Sequence, residues 1–164
     1  MSVLITLAIV LVVLFIAGAV YDRVARLKRA VRSTWRQLEQ QRRRRHATVE
    51  RLTDAVPAHG VDARAVAAVI AARQNAAMAD GPGDAARKER ALGEALSALL
   101  TASAVALSAD VSARARELGD VERSYREARL AYNSTARRYN TALSVVPGSI
   151  VARAGRFPRA ELFE

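Results

Sequence analysis

Residues 3–20 form an unbroken run of 18 residues without a charge, in which Thr6 is the one polar side chain. No other feature constrains the fold as strongly. Backbone N–H and C=O groups in hydrocarbon must be satisfied within the segment, so a run of this kind crosses a bilayer as a helix. At about 1.5 Å per residue it rises ~27 Å, close to the ~30 Å hydrocarbon core of a membrane.

The flanks set the expected orientation. Met1 and Ser2 precede the run; Tyr21, Asp22 and then Arg23, Arg26, Lys28, Arg29 and Arg32 follow it. Cytoplasmic flanks carry the Lys/Arg excess, which puts the N-terminus outside and the rest of the chain in the cytoplasm. Tyr21 falls where an amphipathic ring favours the headgroup layer. Ala17-Gly18-Ala19 resembles a signal-peptide cleavage site. However, the basic leader of a secretory signal is missing, and the cations behind the run oppose export. The segment is expected to stay as an anchor.

About 140 residues remain outside the membrane, enough for one domain with a core. Cysteine is absent, which excludes disulfides, thiolate metal sites and cysteine nucleophiles. The net charge is +10, and only Lys28 and Lys88 among the 26 cations are not Arg. Arginine and alanine favour helix, and strand-type alternation is scarce. The expected fold is all-α: one transmembrane helix, then an antiparallel, up-down four-helix-type bundle with long first and last helices. The expected divisions are 1–21 (anchor), 22–146 (bundle) and 147–164 (apolar tail, packed on the bundle or on a partner).

Apolar residues step by three or four along the chain. The first helix continues out of the membrane with Val24, Leu27, Val31, Trp35, Leu38, Val49, Leu52 and Val56, with a polar gap between Leu38 and Val49. Pro57 and Gly60 are expected to stop it. Asp62 is the expected cap of a helix from Ala63 to Met78. Asp80-Gly81-Pro82-Gly83-Asp84 reads as a turn. A third helix follows from Ala85 to Leu107, with Leu92, Leu96, Leu99, Leu100 and Val105 inward. Ser108-Ala109-Asp110 reads as a weak break. The fourth helix, Val111 to Val145, has the seam Leu118, Val121, Tyr125, Ala128, Tyr132, Thr135, Tyr139 and Ala142.

The stretch Trp35 to Val56, with Gln41, Arg44-Arg45-His46 and Leu52, resembles the N-terminal signature of the LemA family. Glu122, Arg129, Tyr132-Asn133, Tyr139-Asn140, Pro147, Ile150, Ala152, Phe157 and the closing Leu162-Phe163-Glu164 resemble its C-terminal signature. The middle departs: in place of the family's Tyr-Pro and Leu-Lys pattern stands Ala106-Leu107-Ser108-Ala109-Asp110-Val111. The resemblance implies a bacterial, single-pass protein with a cytoplasmic antiparallel bundle; it does not imply an activity.

Candidate sites are few. Arg42 to Arg45 fan around the helix at ~100° each, so some must point inward, toward carboxylates such as Glu89, Glu117 or Glu122. Arg44 lies 22 residues past Asp22. That is ~33 Å along a straight helix, beyond the ~8 Å reach of a screened charge; only Arg23 to Arg32 would feel lipid headgroups. A buried network of Arg45, Glu122 and Arg129 is expected. Tyr125, Tyr132 and Tyr139 are expected to pack with their hydroxyls on buried acceptors, with Asn133 and Asn140 setting register or exposed. Trp35 is an expected core anchor, and Phe157 and Phe163 the tail's contacts. His46 and His59 have no metal-ligand spacing, and nucleophile elbows and phosphate loops are missing; neither cofactor nor metal is expected, nor a deep pocket with converging titratable groups. Nucleic acid binding is not expected, since aromatics for base stacking are few.

These readings lead to a non-enzymatic scaffold or adaptor at the cytoplasmic face of the inner membrane. Its expected partners are the bilayer and an unidentified protein, with a second copy of the chain as one candidate. The alternative is a protein that itself binds or shapes anionic lipid.

Overall fold

The computed structural model describes residues 1–56, 63–103 and 109–164. These residues form five helices and no strand: α1 (Ser2–Ala55), α2 (Ala63–Ala77), α3 (Gly81–Ser103), α4 (Ala109–Ser144) and α5 (Gly148–Ala154). The chain is all-α, with long first and fourth helices. The expected stop at Pro57 and Gly60, the Asp62 cap, His59, Val105 and Ser108 lie outside the described residues, as does the side chain of Asp110.

Two boundaries differ from expectation. Gly81, Pro82 and Gly83 are helical and open α3. Proline is tolerated in a first turn, where its missing N–H would have no intrahelical partner. Gly81 takes φ +76°, a left-handed value that a side chain would strain. Asp84 closes the turn: its Oδ2 accepts from the Asp80 N–H at 3.1 Å and lies 2.7 Å from Lys88 Nζ. These contacts, the Lys88 hydrogen bond first, hold its carboxyl below the usual carboxylate range. The second difference is α5, a short helix in the tail. It begins at Gly148, where an added Cβ would stand 2.0 Å from the Ala142 carbonyl oxygen; only glycine fits.

The chain divides into two compact units. Unit 1 comprises Met1–Trp35 and Tyr132–Ala160; unit 2 comprises Arg36–Ala131 and Glu161–Glu164. In unit 1, α1 buries Val24 and Val31, and α4 buries Tyr132, Ala136, Tyr139 and Leu143. The α4 stripe therefore runs through Ala136 and Leu143, where Thr135 and Ala142 were expected; those two are half-buried. Trp35 is half-buried, its ring centroid 5.3 Å from that of Tyr132.

In unit 2 four helical segments share one apolar core. Val49, Leu52 and Val56 follow α1; Val66, Val69 and Ala76 come from α2, Leu92, Leu96 and Leu99 from α3, and Val111 and Leu118 from α4. Pairs at the surface add little. Arg51 lies 2.5 Å from Glu117 with both half in water, the kind of pair worth at most ~1 kcal/mol.

Leu92, with no exposed surface, is expected to cost ~2–5 kcal/mol when cut to alanine. Leu130→Ala, at a side chain 65% exposed, should stay within about 0.5 kcal/mol of the parent. Chemical denaturation of the full chain in detergent measures both; equal losses would mean that the unit 2 core is misplaced.

Candidate functional site

The core seam of α1 in unit 2 does not stop at its charges. Leu38, Arg42, Arg45, Val49, Leu52 and Val56 follow one another by alternate steps of four and three, and all six are buried. On α3 the same spacing joins Ala85, Glu89, Leu92, Leu96 and Leu99, also all buried. Two arginines and one glutamate thus occupy positions that the helical period assigns to the core. A buried charge is tolerated only when paired and hydrogen-bonded.

The pairing is dense. Arg42 Nε donates to Glu89 Oε1 at 3.0 Å, and its Nη2 donates at 2.8 Å to the carbonyl of Ala76 in the last turn of α2. That carbonyl belongs to the end of a helix, where acceptors lack intrahelical donors. Arg45 Nη1 donates to Glu89 Oε2, and Arg45 Nε donates to Glu122 Oε1 at 2.6 Å. His46 Nε2 donates to Glu89 Oε1 at 2.7 Å. The Arg45 guanidinium also lies 5.0 Å from the Tyr125 ring centroid, in cation–π geometry. Tyr125 in turn meets Phe163 edge-on at 6.2 Å. One cluster therefore ties α1 to α2, α3, α4 and the chain's last residues.

The electrostatics follow from this geometry. Burial opposes the charge on Glu89. The His46 hydrogen bond, then the His46 and Arg45 charges and the Arg42 hydrogen bond, outweigh it and hold the carboxyl below its ordinary range. Burial likewise works against the Arg45 cation, but the Glu122 and Glu89 carboxylates hold its guanidinium above its ordinary value. Burial, and next the Glu89 charge, push the Tyr125 hydroxyl far upward, so it stays neutral. Glu89 is thus held as the carboxylate, Arg45 as the cation and Tyr125 as the neutral phenol, so the ion pairs between the helices persist near neutral pH.

A cleft of about 410 Å³ opens beside the cluster, bordered by Arg45, Glu89, Glu122, Tyr125, Arg129 and Glu164. Titratable groups border this open cleft because the ion pairs reach the surface of unit 2, and the Glu89 and Glu122 carboxylates are already engaged by Arg45. One correction concerns Arg129: it is exposed, and Arg42 with Glu89 fills the place that it was expected to take. Arg44 is exposed. Gln41 is half-buried, with an Oε1 that is buried and has no partner among the described residues.

The remaining signature residues fall in unit 1 and hold the tail. Tyr139 Oη donates to the Pro158 carbonyl at 2.9 Å; burial raises its hydroxyl above the ordinary range, against the opposing charge of Arg32. Asn140 grips Ala160 twice: its Nδ2 donates to the Ala160 carbonyl and its Oδ1 accepts from the Ala160 N–H, each at 2.8 Å. Asn133 is half-buried. Phe157 packs against Tyr21, ring centroids 5.5 Å apart, with Lys28 Nζ 5.2 Å from its ring. Lys28 is therefore half-buried against an aromatic face, while Arg23, Arg26, Arg29 and Arg32 are exposed.

Glu89→Gln leaves Arg42, Arg45 and His46 beside a neutral amide. The expected loss is ~3–5 kcal/mol, the cost of breaking a buried pair by removing one partner. Because the folded Glu89 pKa is lowered, its contribution is complete above the ordinary glutamate value near pH ~4.3 and fades as pH falls below it. Unfolding of the full chain, followed by circular dichroism between about pH 7 and pH 2.5, should show a steeper acid limb in the parent than in Glu89→Gln. Parallel limbs would mean that Glu89 is not the linked group.

Comparison with known proteins agrees with the signatures. No curated protein matches the chain. The LemA family model matches residues 34–164, most of the chain and every residue of the Arg45–Glu89 cluster. The chain belongs to the LemA family.

Proposed function

We propose that this protein is a non-enzymatic scaffold or adaptor, anchored by the apolar run of α1 in the bacterial inner membrane, with the N-terminus outside and residues 22–164 on the cytoplasmic side. One observation carries the reading. Among the described residues α1 is the one helix long and apolar enough to cross a membrane, and none of its apolar window is buried. Val3 is 81% exposed and Phe15 78%. Leaving such side chains in water is unfavourable by roughly 25 cal/mol per Å² of apolar surface, and a bilayer removes that penalty. The exposed Arg23, Arg26, Arg29 and Arg32 directly behind the window support a cytoplasmic flank. The scaffold role is supported by the cluster, which spends its charges on holding helices together.

The alternative reading, a protein that itself binds or shapes anionic lipid, is favoured by those same arginines. Cations near an anionic leaflet contribute ~1 kcal/mol each.

The cysteine-free sequence makes topology directly measurable. Ser2→Cys should react with a membrane-impermeant maleimide in spheroplasts, and Ser97→Cys, at an exposed site on α3, only after lysis. Alkaline carbonate should leave the protein in the membrane pellet. Labelling of Ser97→Cys in intact spheroplasts would reverse the orientation, and carbonate extraction would end the anchor reading. Proximity labelling from the C-terminus should return a reproducible set of protein neighbours if the scaffold role holds; a background set would refute it.

A further inference from the structure

The net charge is held almost entirely by one unit. Residues 1–35 and 132–160 contain ten cations and one carboxylate, Asp22; residues 36–131 and 161–164 contain sixteen cations and fifteen carboxylates. Nine of the ten net positive charges therefore belong to the unit that carries the apolar segment. In unit 2 the strongest cations are matched by carboxylates, as Arg42 and Arg45 are by Glu89. Unit 1 sets one carboxylate against ten cations, so its summed field favours an external anion.

Unit 1 also contains a cleft that gathers this charge. It encloses about 640 Å³, with Arg23 and Arg26 of α1 on one side and Arg137 and Arg138 of α4 on the other. All four side chains are exposed. Val20, the last residue of the apolar run, lines the same cleft, so the cavity starts where the membrane segment stops. The arginines and Thr141 share the lining with an apolar stretch: Val24 and Leu27 come from α1, and Val145 and Val146 border the cleft just past the end of α4. Val145 is 60% exposed and Val146 70%. Guanidinium groups pair with phosphate oxygens through two parallel hydrogen bonds. Four of them over an apolar wall at the depth of the headgroups match an amphiphile with one or two phosphodiesters and an acyl chain. A soluble phosphate would leave the apolar wall unused, and a duplex would have no use for a wall continuous with the membrane segment.

We propose that the unit 1 cleft between α1 and α4 binds an anionic phospholipid. Arg23, Arg26, Arg137 and Arg138 hold its phosphodiester, and Val20, Leu27, Val145 and Val146 hold the glycerol end of its acyl chains. The site rests on the membrane placement of α1 and gives the alternative function a defined location. It also gives the anchor a preference among lipids that an apolar helix alone does not have.

The test is native mass spectrometry of the delipidated full chain in neutral detergent, titrated with dioleoylphosphatidylglycerol, tetraoleoyl cardiolipin and dioleoylphosphatidylcholine. Both anionic lipids should bind at least about tenfold more tightly than the choline lipid, since each arginine near the headgroups adds a substantial increment. Arg137→Gln/Arg138→Gln should lose about tenfold of that preference, while Arg43→Gln/Arg44→Gln, an equal change in charge at exposed positions of unit 2, should keep it. Arg137→Lys/Arg138→Lys keeps the charge and loses the paired hydrogen bonds, and should fall between. Unchanged helical circular dichroism qualifies each variant; if the glutamine pair does not fold, the lysine pair decides. Three results overturn the proposal: equal binding of the choline lipid, equal loss in the two glutamine pairs, or competition by glycerol 3-phosphate or a short DNA duplex at matched phosphate concentration. The anchor reading fails separately, by carbonate extraction, which leaves lipid selectivity in detergent unaffected.

Discussion

One carboxylate organises unit 2. Glu89 sits at a core position of α3 with almost no exposed surface and accepts from Arg42, Arg45 and His46, all on α1. Its charge is unfavourable there unless it is paired and hydrogen-bonded. The three donors meet that demand, and in doing so they fix which face of α1 meets α3. Arg42 then reaches the end of α2 and Arg45 reaches Glu122 on α4. An apolar seam could slide by a turn and still bury carbon. This seam cannot, because a slip would strand an ion. The register role attributed to buried polar groups in helical assemblies is served here by a salt-bridged layer between apolar layers.

Most of the helices were legible because the signal was periodic. The apolar steps of α1, α3 and α4 continue over many turns, and their buried faces follow that period. The apolar run was legible because length and lack of charge leave a chain few alternatives. What escaped was the meaning of the polar gap in α1. Arg42 and Arg45 keep the step of the hydrophobic residues around them, so the gap is a continuation of the stripe in another chemistry. The fan of Arg42–Arg45 does point some of them inward toward a carboxylate such as Glu89; which two turn inward is what reading only apolar residues hides. Their shared spacing was the available clue.

Other misses have different causes. The Asp80–Asp84 stretch reads as a turn by composition, yet proline and glycine are compatible with the first turn of a helix, and Asp84 supplies the acid that such a turn favours. Arg129 shares a stripe of α4 with Glu122, two turns away, yet Glu122 is the one that meets Arg45 and Arg129 stays exposed. The Asn140 clasp on the tail was not legible. It depends on a side-chain amide meeting backbone twenty residues further along the chain, and no local pattern encodes that encounter.

That hold has a consequence for how the tail can vary. Asn140 contacts the main chain of Ala160 through one N–H and one carbonyl, the two groups that nineteen of the twenty amino acids present alike. The clasp is therefore indifferent to what residue 160 is, with proline the lone exception, because its ring removes the donor. The amide on α4 admits no such latitude, since a carboxylate there would lose the donor and a hydrophobe would lose both halves. Diversity at one end of this contact and constancy at the other is the pattern that backbone recognition imposes.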